Sequence, residues 1–211
     1  MTLDRAQLAE LTPLVRRAAD LDPATLVRVR RSGERLGLLI RLPFGVLAAR
    51  TVERAAADPA DTTVRADELL AWLDGDRSAE PAAHDAEWRG GTPPERGWHR
   101  IEKVPDTELR PLVRTGALTL KQAAEREGVP GAQPRQEVAD ALLDSVVLTV
   151  SDATHSAEIT LRTLSALTRL GFLARGSHAA IDVAGRWIRV VGVYGTVYAE
   201  RPGAALGLTL R

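Results

Sequence analysis

The sequence predicts an α+β fold with a winged-helix-like order: an N-terminal helix and β-meander, a helical middle, then a C-terminal helix and β-meander. Three observations predict it. Between Ser156 and Gly176, a step of about 100° per residue puts Leu161, Leu164 and Leu167 on one side, and Gly171 falls where a helix stops. Near the N-terminus, Thr25, Val27 and Val29 alternate with Leu26, Arg28 and Arg30, the period of a half-exposed strand. Between these regions, Thr119 and Gln122 have capping-box spacing, and Val138, Ala141, Leu142 and Ser145 make a helical stripe.

Taken in order, Leu3 to Ala19 reads as helix with Leu8, Leu11, Val15 and Ala18 on one face, interrupted at Thr12-Pro13, a good N-cap and first-turn pair. Thr25 to Arg31 and Leu36 to Arg41 form a hairpin across Ser32-Gly33-Glu34, and Phe44-Gly45 opens a third extended run. Val64 to Leu73 is a short helix with Leu69, Leu70 and Trp72 inward. Glycines and prolines then break every period from Asp74 to Asp106, leaving a connection that Trp88 and Trp98 would pin to the surface. Helices resume at Thr107 or Glu108, a second begins at Thr119 and stops at Gly128-Val129-Pro130, and a third opens at Pro134. Val146 to Val150 fits either the end of that helix or a buried strand. After the Ser156–Gly176 helix come three strand candidates, Ala180 to Val183, Trp187 to Val193, and the run opened by Tyr194-Gly195. The division expected is therefore residues 1–73, the Trp-bearing connection 74–106, and residues 107–211. Phe44-Gly45 and Tyr194-Gly195, each followed by a β run and an arginine, hint at an internal repeat.

Composition narrows the function. The chain has 211 residues, 28 basic against 28 acidic side chains, and no cysteine. Zero net charge withholds the basic excess that phosphate neutralisation asks for. Disulfides and thiol chemistry are excluded. No apolar run approaches a membrane span, so a cytoplasmic protein without membrane contact is expected. Only Lys103 and Lys121 among the basic residues are lysine, a bias that makes arginine abundance poor evidence for phosphate binding.

The motifs of catalysis are missing: no nucleophile elbow, phosphate loop or dinucleotide fingerprint occurs, so no catalytic residue and no cofactor is assigned. His84 with Glu87 and His99 with Glu102 have a spacing that converges on a metal only within a helix, and the surrounding glycines and prolines argue against one. No metal site is therefore expected. A winged-helix reading would direct Arg162, Ser165 and Arg169 to the major groove and Arg175, Arg186 and Arg189 to phosphate. A partner-binding reading uses Trp88, Arg89, Trp98 and His99, since tryptophan and arginine concentrate in interfaces. The favoured function is a non-enzymatic interaction or regulatory module with a protein partner. A winged-helix DNA-binding regulator is the alternative, and oligomeric state is left open.

The combination RLPFGVLAART, DAEWRG with its following GW, ALLDSVVLTVS and SALTRLGF followed by AGRWIRV resembles an uncharacterised family of GC-rich bacterial proteins of about this size. The resemblance covers nearly the whole chain. It implies one native architecture and supplies neither an activity nor site residues.

Overall fold

The computed structural model describes the chain apart from residues 1–2, 43–44, 54, 56–57, 77, 79, 127–135 and 202–211. It divides into two compact units, residues 1–93 and 94–211, so the boundary falls inside the connection placed at 74–106.

The first unit opens with helix α1 (Arg5–Leu21), started by a reciprocal capping box in which Asp4 accepts from the Gln7 backbone at 2.8 Å and Gln7 accepts from the Asp4 backbone at 2.7 Å. Pro13 lies inside this helix and does not split it, contrary to the sequence expectation. An interior proline costs about 3 kcal/mol. Burial of Leu11, Leu14 and Val15, each worth about 1.5–3 kcal/mol, outweighs that cost. Strands β1 (Leu26–Ser32), β2 (Arg35–Arg41), β3 (Leu47–Glu53) and β4 (Asp61–Arg65) form an antiparallel sheet ordered β4-β1-β2-β3. Gly33, with φ 61°, makes the tight β1–β2 turn where a side chain would be strained. Helix α2 (Ala66–Leu73) leaves β4 directly and buries Ala66, Leu69, Trp72 and Leu73. The sheet face of Val27, Val29, Leu38 and Ile40 is buried with the apolar stripe of α1. The other face carries Arg28, which lies opposite Leu39 and Thr63. Strand β4 escaped the sequence reading, which took its last residues as helix.

The second unit begins with β5 (His99–Pro105), a strand inside the stretch expected to hold no regular element. It runs straight into α3 (Asp106–Arg126), one helix through Thr119 where a second start was expected. The Thr119 hydroxyl donates back to the Thr115 carbonyl at 3.1 Å instead of capping. Helix α4 (Gln136–Leu143) buries no residue fully. Then come the hairpin β6 (Val146–Ser151) and β7 (Ser156–Thr160), helix α5 (Leu161–Arg169), and strands β8 (His178–Ala184), β9 (Trp187–Val191) and β10 (Thr196–Glu200). The sheet of this unit is ordered β10-β9-β8-β5, all antiparallel. The stops and starts expected at 127–135 lie outside the described residues.

Helix α5 carries the strongest agreement with the sequence. Leu161, Leu164 and Leu167 are each at most 2% exposed. Its end is a Schellman motif: Gly171 (φ 72°) donates to Thr168 and Phe172 to Leu167, both at 3.0 Å, and the Phe172 ring locks into the core.

The winged-helix order is not what these elements make. Residues 146–160 are a β-hairpin between the last two helices, and α5 starts five residues later than the expected helix. The hairpin β8–β9 is not a free wing, because β5 flanks β8 and β10 flanks β9. What recurs is a helix followed by a three-stranded meander: α1-β1-β2-β3 in one unit and α5-β8-β9-β10 in the other.

Candidate functional site

The sequence candidates separate into three environments. In the first unit, the segment around Trp88 folds back on its own sheet. His84 donates its backbone N–H to Thr63 at 2.7 Å, and Asp85 accepts from the Thr63 N–H at 2.6 Å, which continues the β4 edge. The Trp88 ring lies under two guanidinium groups, Arg41 at 4.9 Å and Arg28 at 5.8 Å from its centroid. Arg28 is itself held by Asp61 through paired contacts of 2.7 and 2.8 Å. Trp88 is thus a loop anchor, while Arg89 beside it is exposed. His84 is bracketed by Glu87 at 2.8 Å and Glu68 at 3.5 Å, and the Glu87 carboxylate raises its pKa above the ordinary imidazole value.

In the second unit, a row of side chains crosses the sheet face: Arg100 opposite Asp182 beside a register shift in β5, Asp182 opposite Arg189, Arg189 opposite Tyr198. Asp182 is 1% exposed and receives Arg100 at 2.7 Å and Arg189 at 2.7–2.8 Å. Burial alone would raise its pKa, but the two guanidinium donors outweigh that and hold it below the usual carboxylate range. Trp98 closes over the row, with Arg189 4.3 Å above its ring centroid and Tyr198 at 5.7 Å. Its indole N–H donates to the Pro94 carbonyl at 2.8 Å.

The third environment joins two distant segments. His99, at the start of β5, hydrogen-bonds through Nε2 to Asp152 Oδ2 at 2.5 Å, and its ring stacks on His155 at a centroid distance of 4.4 Å and 28°. Asp152 and His155 belong to the β6–β7 turn. The other Asp152 oxygen accepts from the backbone N–H groups of Thr154 and His155, both at 2.8 Å. The Thr154 N–H, His99 and the His155 N–H together push the Asp152 pKa far below its ordinary value. His99, Asp152 and His155 each present a ligand atom, all within 4.8 Å of one another. Sequence spacing had paired His99 with Glu102, three residues on. Its actual neighbours lie more than 50 residues away, and no local pattern marks them.

The arginines assigned to nucleic acid are dispersed, and most are neutralised. Arg162 does not project from α5 as expected: its side chain is 12% exposed and held by Asp144 at 2.7 Å and Asp140 at 3.0 Å. It ties α4 to α5. Ser165 is half-buried, whereas Arg169 and Arg175 are exposed. Arg186 pairs with Glu200 at 3.4 Å, and Arg189 is committed to Asp182. Arg162→Ala is therefore expected to loosen α4, lowering stability by about 1–2 kcal/mol and speeding amide exchange at residues 136–143 by hydrogen-exchange mass spectrometry. Unchanged exchange there would contradict the tether.

Residues 93–204 match the DUF8185 family and residues 1–90 match DUF8010, each described as a domain of unknown function. The first match covers more than half of the chain. The chain belongs to the DUF8185 family. No curated protein matches it. Among solved structures, this DUF8185 member is similar to the Caulobacter crescentus beta sliding clamp, at 12% identity over 95% of this chain and 64% of that one, with TM-score 0.56. It is also similar to DNA polymerase III subunit beta of Pseudomonas aeruginosa, at 15% identity over 93% and 63%, TM-score 0.52. The Helicobacter pylori beta clamp bound to a DNA ligase peptide gives 10% identity over 93% and 65%, TM-score 0.54. At these identities the likeness is one of fold, and the chain spans 63–65% of the clamps' length. Among the described residues no helix is long and apolar enough to cross a membrane.

Proposed function

We propose that this DUF8185 member is a non-enzymatic interaction module that uses a sliding-clamp type of fold to hold a short segment of a partner protein. The supporting observation is the likeness to clamps over nearly the whole chain, at TM-scores of 0.52–0.56, one of those clamps carrying a DNA ligase peptide. Charge distribution favours peptide over nucleic acid. The chain is neutral overall, and Arg28, Arg100, Arg162, Arg186 and Arg189 face carboxylates at 2.7–3.4 Å. Such pairing removes the counterion-releasing contacts on which duplex binding depends.

The test is fluorescence anisotropy with the full chain, a labelled DNA ligase peptide of the clamp-binding kind, and a labelled generic duplex at about 50 mM salt. Saturable peptide binding with no duplex binding is the expected result. Salt-dependent duplex binding lost in an Arg169→Ala/Arg175→Ala variant would replace this reading with DNA binding. Failure of both probes would end the peptide reading.

A further inference from the structure

We infer that His99, Asp152 and His155 form a binding site for a borderline divalent transition-metal cation of the Zn²⁺, Co²⁺ or Ni²⁺ type. Three features carry this, and none depends on the clamp likeness. The first is the donor set. Two imidazoles and one carboxylate suit these ions, whereas Mg²⁺ and Ca²⁺ ask for oxygen ligands throughout. The ligand atoms already lie within 4.8 Å of one another. Bonds of about 2.1 Å at a tetrahedral angle need donors about 3.4 Å apart, so closure takes side-chain movements of roughly 1 Å.

The second feature is preorganisation. Asp152 is fixed by three donors from its own turn, the N–H groups of Thr154 and His155 at 2.8 Å and the Thr154 hydroxyl at 3.1 Å, all on Oδ1. Its Oδ2 is left aimed at His99. Outer-sphere hydrogen bonds of this kind orient ligating carboxylates and preset their basicity. The rings of His99 and His155 stack with centroids 4.4 Å and planes 28° apart, so their ligand atoms are close and a rotation of each ring turns both lone pairs toward one ion.

The third feature is access. The side chains of His99, Asp152 and His155 are 47%, 27% and 41% exposed, enough to admit a hydrated ion and to let the rings adjust. Three protein ligands leave at least one coordination position for water or for a partner's side chain. The ion would cross-link β5 to the β6–β7 turn, two segments otherwise far apart in sequence.

The experiment uses the untagged full chain, so that no affinity tag competes. Histidine ring resonances are followed by NMR during titration with Zn²⁺, calorimetry gives affinity, and Mg²⁺ serves as the control. Zn²⁺ is expected to move the His99 and His155 signals, to leave His84 and His178 in place, and to raise the melting temperature, while Mg²⁺ does none of these. His99→Gln/His155→Gln is expected to weaken Zn²⁺ binding at least about tenfold. If that pair fails to fold without metal, the exposed single change His155→Gln carries the test. Absence of saturable binding by Zn²⁺, Co²⁺ and Ni²⁺, or undiminished binding in a variant that melts like the metal-free parent, would overturn the assignment.

Discussion

Gly192→Ala is expected to destabilise the second unit by about 1–3 kcal/mol or more, although it adds a single methyl group. A Cβ at position 192 would sit against the Phe172 carbonyl, 2.8 Å from its carbon and closer still to its oxygen. The obstacle is backbone, and it is pinned: the Phe172 N–H donates to Leu167 at 3.0 Å in the Schellman motif, and the ring is 1% exposed. Gly195 meets the same residue at the tip of its ring, its notional Cβ 2.5 Å from the ring's Cζ. Gly116 offers a contrast. A methyl there would collide with the Leu161 side chain, which can partly yield, and alanine recovers about 1 kcal/mol of helix propensity. Urea denaturation of Gly192→Ala, Gly195→Ala and Gly116→Ala should place the first two well below the third. A Gly192→Ala variant within 0.5 kcal/mol of the parent would mean that α5 and the β9–β10 turn do not pack this closely.

Asp182→Asn is the second large effect. A carboxylate 1% exposed between two guanidinium groups is difficult to remove, because the amide leaves both cations short of their counter-charge. Breaking a fully buried pair costs about 3–5 kcal/mol. Arg100 is 47% and Arg189 24% exposed, so solvent recovers part of that and about 2–4 kcal/mol is expected. The pH dependence follows from the depressed pKa. A carboxyl lowered by folding contributes stability that is fully present above its unfolded value of about 3.9 and is lost as pH falls through the folded value. Thermal melts from pH 6 to pH 2.5 should therefore fall less steeply for Asp182→Asn than for the parent. Parallel acid limbs would show that Asp182 does not carry this part of the titration.

Helix α5 and strand β1 were legible because their signals are local. Leu161, Leu164 and Leu167 announce the buried side of α5, and Gly171 followed by Phe172 announces its end, with each residue acting on neighbours a turn away. The alternation of Val27 and Val29 with Arg28 and Arg30 likewise gave β1 its faces. The errors arose where a local signal was outbid. Ser156 to Thr160 follows the helical period well enough to be read as the start of α5, but pairing with Val146–Ser151 makes it a strand. Thr119 with Gln122 spells a cap in the middle of α3, but the helix runs on and the Thr119 hydroxyl donates back to the Thr115 carbonyl instead. The metal-ligand cluster was invisible for a simpler reason. His99 meets Asp152 only because β5 and the β6–β7 turn come together in space, and the sheet-face ladder from Arg100 to Tyr198 depends in the same way on register.

Among the described residues, three helices emerge from strands with no intervening loop: Arg65 to Ala66, Pro105 to Asp106 and Thr160 to Leu161. Such junctions have no slack. One residue inserted at any of them would swing the downstream helix by about 100°, carrying Leu69, Leu109 or Leu164 out of the interior and a polar neighbour in. Changes of chain length during the protein's descent should accordingly gather in its turns and spare these three seams.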